Sequence, residues 1–272
     1  MNSLNLGDTS EVYATLNLIN ESLNPDKISI FSFNPKHDMK YLELPQNGEV
    51  LPSPGRYAPS LGEKIRVMSD MALFFLWSIF SRFGMDIFHY FSGNIKVTAQ
   101  ALKEADLVIV RGSDTLADTY GSKAISLNLF NILLPLIMGK KVITFGNTIG
   151  PFNTKLWKAL TSYLLKKLDY IVVRDKYSQE LLMKMGIDSS KVQFLPAAAF
   201  TLNMSEIDLP SSLKKEAGRL CIGAIPSALV WRLLPRKGKG EDYANYIGLF
   251  SKLIDYVIDS YDATVLIIPH VF

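Results

Sequence analysis

Cysteine is nearly absent from this sequence. Cys221 stands alone among 272 residues, so no disulfide can form within the chain, and a reducing compartment is the expectation. Histidine is scarce too. His37, His89 and His270 are scattered, and with a single cysteine they make no recognisable metal-ligand set. No metal or other cofactor is expected. Charged residues supply 20% of the chain against 48% hydrophobic, a balance that excludes a disordered chain and allows a packed core. The formal charge of +3 comes without any dense Lys/Arg block interleaved with aromatics. That excludes the usual nucleic-acid footprint and suits an anionic small substrate or a membrane face. Long apolar runs are missing. The most hydrophobic segment, Met71–Phe80 (MALFFLWSIF), is about half the ~20 residues of a spanning helix, and Arg82 and Asp86 follow it closely. Met1–Asp8 has neither the basic start nor the apolar core of a secretory leader. These absences predict a cytoplasmic protein, with the inner face of the membrane as a second location.

What is present is an alternation of short β-branched runs and longer helical patterns. Strands are predicted at Ile28–Phe33, Leu107–Arg111, Val142–Gly146, Tyr170–Arg174, Val192–Leu195, Cys221–Ile225 and Thr264–Pro269. Helices are predicted at Thr9–Leu23, a broken segment from Ser60 to Tyr90, Thr98–Glu104, Ser122–Met138, Thr154–Leu168, Lys176–Met185 and Asp242–Tyr261. This rhythm predicts an α/β fold with parallel sheets covered on both faces. Asp8 followed by Glu11 reads as a capping box opening the first helix. Val12, Leu16, Ile19 and Leu23 then form one apolar stripe. The polar, Pro- and Lys-containing stretch 204–219 reads as a linker between a lobe at 1–203 and a second lobe at 220–272. A helix without a preceding strand, and a buried-type strand close to Phe272, predict that chain is missing at both ends.

Ligands of open α/β sheets bind beyond the carboxyl ends of the strands. Three predicted strand exits carry small, polar and charged residues there. They are Arg111-Gly112-Ser113-Asp114, Gly146-Asn147-Thr148-Ile149-Gly150-Pro151, and Arg174-Asp175 with Ser178. Asn5-Leu6-Gly7-Asp8 opens a helix, where an anion or sugar hydroxyl can sit; Asp8 reads equally as that helix's cap. Arg174 reads as an anion contact or as a structural ion pair. Asp175 reads as the N-cap of the helix that Gly186 ends. His270, at a strand end, is an acid–base candidate. Arg232 lies in a basic loop with Arg236, Lys237 and Lys239 that suits a phosphate or simple solvation.

In order, Asn5-Leu6-Gly7-Asp8, Gly112-Ser113-Asp114, Lys140-Lys141-Val142-Ile143, Gly146 through Phe152, Val173-Arg174-Asp175 with Ser178, Leu181 and Gly186, and Ala199-Phe200 with Leu202 resemble the polysaccharide pyruvyl transferase family. The resemblance spans most of Asn5 to Leu202. It implies a GT-B-like pair of Rossmann-like domains with the site in the cleft between them, the second domain being incomplete here. It also implies transfer of pyruvate from phosphoenolpyruvate to a sugar of a polysaccharide or lipid-linked glycan, as a ketal on two hydroxyls. Under it, Asp8, Asp114 and His270 are the catalytic candidates. Asn5, Gly7, Gly112, Ser113, Asn147, Gly150, Arg174, Ser178 and Arg232 are the substrate-binding ones. The sequence departs from the family pattern at Arg111-Gly112-Ser113-Asp114, where a run of glycines is common, at Asn147, where glutamine is frequent, and at Ala197, where an aspartate usually precedes Ala-Phe. A glycosyltransferase using a nucleotide sugar and a non-catalytic sugar-binding remnant are the two rival readings. The aromatics and leucines of Met71–Phe91 read either as core or as a patch receiving a lipid-linked acceptor.

Overall fold

The computed structural model describes residues 6–42, 44–54, 60–85, 91, 93–202, 220–227 and 241–268. The chain divides into two compact units, the first built on Asp8–Leu202 and the second on Asn203–Phe272. The stretch 204–219, read above as a linker, lies outside the described residues.

The first unit holds α1 (Leu6–Leu23), β1 (Ile28–Ser32), α2 (Pro35–Tyr41), β2 (Gly48–Pro52), α3 (Leu61–Arg82), α4 (Gly93–Glu104), β3 (Leu107–Arg111), α5 (Ser122–Ile137), β4 (Lys141–Asn147), α6 (Lys155–Leu165), β5 (Tyr170–Val173), α7 (Lys176–Lys184) and β6 (Val192–Phe194). Four strands form one parallel sheet in the order β3-β4-β5-β6, and β1 pairs with β2, also in parallel. Parallel strands need a crossover, and α5, α6 and α7 supply one between each successive pair of the four-stranded sheet. The middle strands are buried on both faces, which explains their continuous apolar character: Val142, Thr144, Ile171, Val172 and Val173 are all buried.

Three apolar clusters hold the unit together. The largest joins Ile125, Leu129 and Ile132 of α5, Leu164 and Leu165 of α6 and Leu182 of α7 to Val142, Ile171 and Val173 of the sheet. A second packs Phe74 and Trp77 of α3 with Phe91, with Ala99 and Leu102 of α4 and with Leu134. There the three aromatic rings meet at centroid distances of 5.5–6.1 Å. The third gathers Val12 and Leu16 of α1 with Leu42 and with Val50 of β2.

Several expectations change. The first helix begins at Leu6, so Asp8 lies in its first turn and is not its N-cap. Within the segment predicted as broken between Ser60 and Tyr90, of which residues 86–90 lie outside the described residues, a helix runs from Leu61 to Arg82 and ends in a turn. Its start carries a capping box: Ser60 Oγ accepts from the Glu63 amide at 3.2 Å, and the Ser60 amide donates to Glu63 Oε2 at 3.1 Å. The helix predicted from Thr98 starts at Gly93. The short elements α2 and β2 are additions to the predicted set.

The second unit contains β7 (Cys221–Ala224), α8 (Glu241–Tyr261) and β8 (Thr264–Ile267), with β7 and β8 paired in parallel. Among its described residues it is one β-α-β unit. Among all described residues no helix is long and apolar enough to cross a membrane.

Candidate active site

The strand exits of the four-stranded sheet are tied to one another by backbone and side-chain bonds. β4 bulges between Thr144 and Asn147, and Gly146 takes a positive φ of 73° there, a conformation that favours glycine. Next to it, Gly112 touches the Gly146 backbone so closely that a Cβ would sit 2.7 Å from the Gly146 carbonyl oxygen. The exits of β3 and β4 can approach this far only because Gly112 lacks a side chain. The Thr148 amide then donates to the Ser113 carbonyl at 2.8 Å, and the Gly150 amide to the Leu116 carbonyl at 2.8 Å. Asn147, fully buried, donates from Nδ2 to the Arg111 carbonyl at 2.9 Å, while its Oδ1 is buried with no hydrogen-bond partner. The Gly150-Pro151 peptide is cis.

The exit of β5 locks onto that of β4. Asp175 is the N-cap of α7, as the sequence predicts: its Oδ1 accepts from the Ser178 amide at 2.7 Å. Its Oδ2 accepts from Thr148 Oγ1 and from Ser178 Oγ, both at 2.9 Å. The Ile149 amide donates to Ser178 Oγ at 2.8 Å. Arg174 donates from Nε to Thr148 Oγ1 at 3.0 Å, and its Nη1 lies 3.9 Å from Oε1 of the buried Glu11. The ion-pair reading of Arg174 therefore holds in this conformation. The first turn of α1 joins the same edge through Asp8, whose Oδ1 lies 3.5 Å from Arg111 Nη1.

Asp114 and Tyr120 are among the side chains that face solvent at this edge. The Tyr120 hydroxyl donates to Asp114 Oδ2 at 2.5 Å. Partial burial, that hydrogen bond and the charges of Asp114 and Asp8 push the Tyr120 phenol up to about 12, with the Arg174 charge opposing them. Tyr120, Asp114, Asp8 and Arg174 thus share one electrostatic neighbourhood. The phenol stays protonated at any physiological pH and serves as a fixed donor to the carboxylate.

Of the predicted site residues, the structure gathers Asp8, Gly112, Ser113, Asp114, Asn147, Gly150, Arg174 and Ser178 at the strand exits. Gly7 lies in the first turn of α1. Ser113 Oγ shares a 2.7 Å hydrogen bond with Thr115 Oγ1. Asn147 and Ser178 are fully buried, and their side chains hold the loops of this edge together. Gly150 is buried as well, with a φ of 74° and Leu181 Cδ2 only 2.6 Å from where a Cβ would stand; it too shapes the loop. Asn5, Arg232 and His270 lie outside the described residues.

Sequence reasoning missed Tyr120 and Asp118 and read Glu11 as part of a cap. Asp118, buried, accepts from the amides of Asn153 and Thr154 at 2.8 Å each and so caps α6, whose own N-cap Thr154 makes no side-chain cap. Burial pushes the Asp118 carboxyl up, but these amide bonds outweigh it and hold the group below its ordinary value. The only hint in the sequence is the position of both residues in the long exit loop of β3.

Comparison with known proteins adds two findings. A family model for polysaccharide pyruvyl transferases matches residues 5–272. The amylovoran biosynthesis protein AmsJ of Erwinia amylovora is 27% identical over 162 residues, which cover 58% of this chain and 38% of that relative. The aligned part thus spans well under half of the relative's length.

Proposed function

Since this chain belongs to the polysaccharide pyruvyl transferase family, we infer that the whole protein transfers pyruvate from phosphoenolpyruvate to a sugar of a polysaccharide or lipid-linked glycan. The observation that carries this reading is the family match over residues 5–272. The strand-exit cluster around Asp114 supports it, because it sets an exposed carboxylate at the sheet edge where α/β proteins bind ligands. The proposed architecture of the whole protein is GT-B-like, with two Rossmann-like lobes.

The chemistry proposed is acid–base and needs no cofactor. A proton added to the methylene carbon of phosphoenolpyruvate leaves an oxocarbenium-like centre at C2. A sugar hydroxyl attacks that carbon and gives up its proton to a base. Phosphate departs, leaving C2 oxocarbenium-like once more, and a second hydroxyl of the same sugar attacks it to close the ketal, its proton passing to the released phosphate. Asp114 is the first nominee for the base, because it is exposed and held from one side by a neutral phenol; Asp8, facing Arg111, is the second. Arg232 and His270 are proposed to meet the phosphate and carboxylate of the donor, with the latter also a candidate proton donor. Arg174, engaged with Thr148 and Glu11, is a further nominee for donor contact through its remaining guanidinium N–H groups.

Thermal unfolding with added ligands tests the donor. Protection by phosphoenolpyruvate and not by a nucleoside diphosphate is expected; the reverse sinks the reading in favour of a nucleotide-sugar glycosyltransferase. With a glycan acceptor, phosphate release should fall at least about a hundredfold in Asp114→Asn while protection by phosphoenolpyruvate persists. Glycan binding without any phosphate release from the unaltered protein would instead mark a sugar-binding protein.

A further inference from the structure

Helix α3 is apolar on two opposite sides. Val67, Phe74 and Trp77 point inward, together with Asp70 and Ser78. On the opposite side, Leu61, Ile65, Met68, Ala72, Leu76 and Phe83 follow at spacings of four, three, four, four and seven residues, a single helical face. That face is open: Leu61 is 74% exposed, Ile65 61%, Met68 70%, Leu76 48% and Phe83 73%. Phe75 and Met85, 38% and 50% exposed, adjoin it. A helix of 22 residues is about 33 Å long, so this is a continuous apolar ridge and not scattered surface residues.

Charge decides what such a ridge fits. Its exposed flank carries Lys64 and Arg66 at one end, while Arg82 at the other lays its guanidinium against Gly139. Glu63 is the one exposed carboxylate of the helix, and it is engaged with Ser60 in the capping box; Asp70 is buried. By contrast, exposed apolar residues on α8, such as Leu249 and Leu253, share their helix with the exposed carboxylates Asp255 and Asp259. An apolar face flanked by cations is the pattern of a helix lying in a membrane interface, with its stripe sunk about 5–10 Å at the headgroup boundary. Self-pairing of two copies along this face would bring cations of one helix toward those of the other with no free carboxylate to answer them.

We propose that α3 docks the protein flat onto a bilayer surface containing anionic lipid, through Leu61, Ile65, Met68, Leu76 and Phe83, with Lys64 and Arg66 meeting the headgroups. Of the aromatics and leucines of Met71–Phe91, read from sequence either as core or as a patch, Phe74, Trp77 and Phe91 are core, and the exposed ridge begins further back at Leu61. Docking stands independently of the pyruvyl-transfer reading, and its test involves no turnover.

The test is co-sedimentation of the purified chain with vesicles of phosphatidylcholine alone and of phosphatidylcholine mixed with phosphatidylglycerol. Binding to the mixed vesicles is expected, weakened by added salt. Ile65→Glu with Leu76→Glu should reduce the partition coefficient by about tenfold or more. Both positions are exposed, so the variant should unfold at the same temperature as the parent. Lys64→Gln with Arg66→Gln, which touches no core residue, should lower binding to the mixed vesicles and remove part of its salt dependence. Failure of the unaltered chain to bind mixed vesicles overturns the proposal, and so does binding that neither pair of substitutions changes. Light scattering that shows a dimer dissolved by Ile65→Glu with Leu76→Glu, in a chain that ignores vesicles, would assign the ridge to a second copy instead.

Discussion

The Asp118 carboxylate caps a helix whose N-cap residue lies 36 positions later in the chain, accepting from the Thr154 amide at 2.8 Å. With the Asn153 amide also bound, the carboxylate joins the long exit loop of β3 to the start of α6. Asp118→Ala leaves both amides without this acceptor and should cost about 1–3 kcal/mol in chemical denaturation. Because the folded group titrates below its ordinary value, its contribution is complete above the unfolded value of about 3.9 and fades as pH falls through the lower folded value. The gap in unfolding temperature between parent and Asp118→Ala should therefore be full at neutral pH and shrink below about pH 4. A gap that stays constant into strong acid would contradict this.

Ser178→Ala should destabilise without touching solvent. Ser178 is fully buried and its hydroxyl accepts from the Ile149 amide at 2.8 Å. Removing it strands that amide and deprives Asp175 Oδ2 of one donor, a loss of about 1–3 kcal/mol. Equilibrium unfolding reads this directly; a change under about 0.5 kcal/mol would mean that the β4 and β5 exits do not depend on the hydroxyl.

Two glycine substitutions should differ sharply. In Gly112→Ala the new Cβ meets the Gly146 carbonyl oxygen at 2.7 Å, a backbone atom that cannot swing away. The expected cost is about 1–3 kcal/mol, with local disorder at the β3–β4 edge visible in hydrogen exchange. Gly62→Ala, near the start of α3 with nothing within 4 Å, should be neutral or stabilise by up to about 1 kcal/mol. Equal losses in both would refute the close approach.

Ultraviolet titration should find the phenol of Tyr120 ionising at about 12, as the difference between the parent and Tyr120→Phe. Asp114→Asn removes a negative neighbour and should bring that step down toward the ordinary value of about 10. The sign follows for stability. A raised folded value makes the phenol's contribution complete below about 10 and lost as pH climbs from there toward the folded value. A Tyr120 step at about 10 in the parent would break the link to Asp114.

The parallel α/β layout was legible because β-branched runs and helical stripes alternate at readable lengths. The misses have local causes. α2 is a seven-residue polar helix, PKHDMKY, with no apolar stripe to announce it, and β2 is five residues with glycine and proline at its ends, the residues that usually punctuate strands. For α3 the 3.6-residue period was readable, but a helix apolar on both sides does not declare which side is the core. At the site, the exits of β3, β4 and β5 were found from residue type and position. Which of their side chains face solvent was not, because Asn147 and Ser178 are buried by partners 36 and 29 positions away. Tyr120 escaped notice because its significance lies in Asp114, across a loop whose path the sequence does not specify.

Five residues at the β4 and β5 exits, Thr148, Ile149, Arg174, Asp175 and Ser178, answer one another through bonds spanning 26 to 29 positions on separate strands. None of the four polar side chains can change alone without stranding a partner, so their substitution effects should be strongly non-additive. Over generations such a set drifts together or stands still. Change at this sheet edge would then have to begin at side chains outside that lattice, such as Tyr120, whose hydroxyl bonds to Asp114.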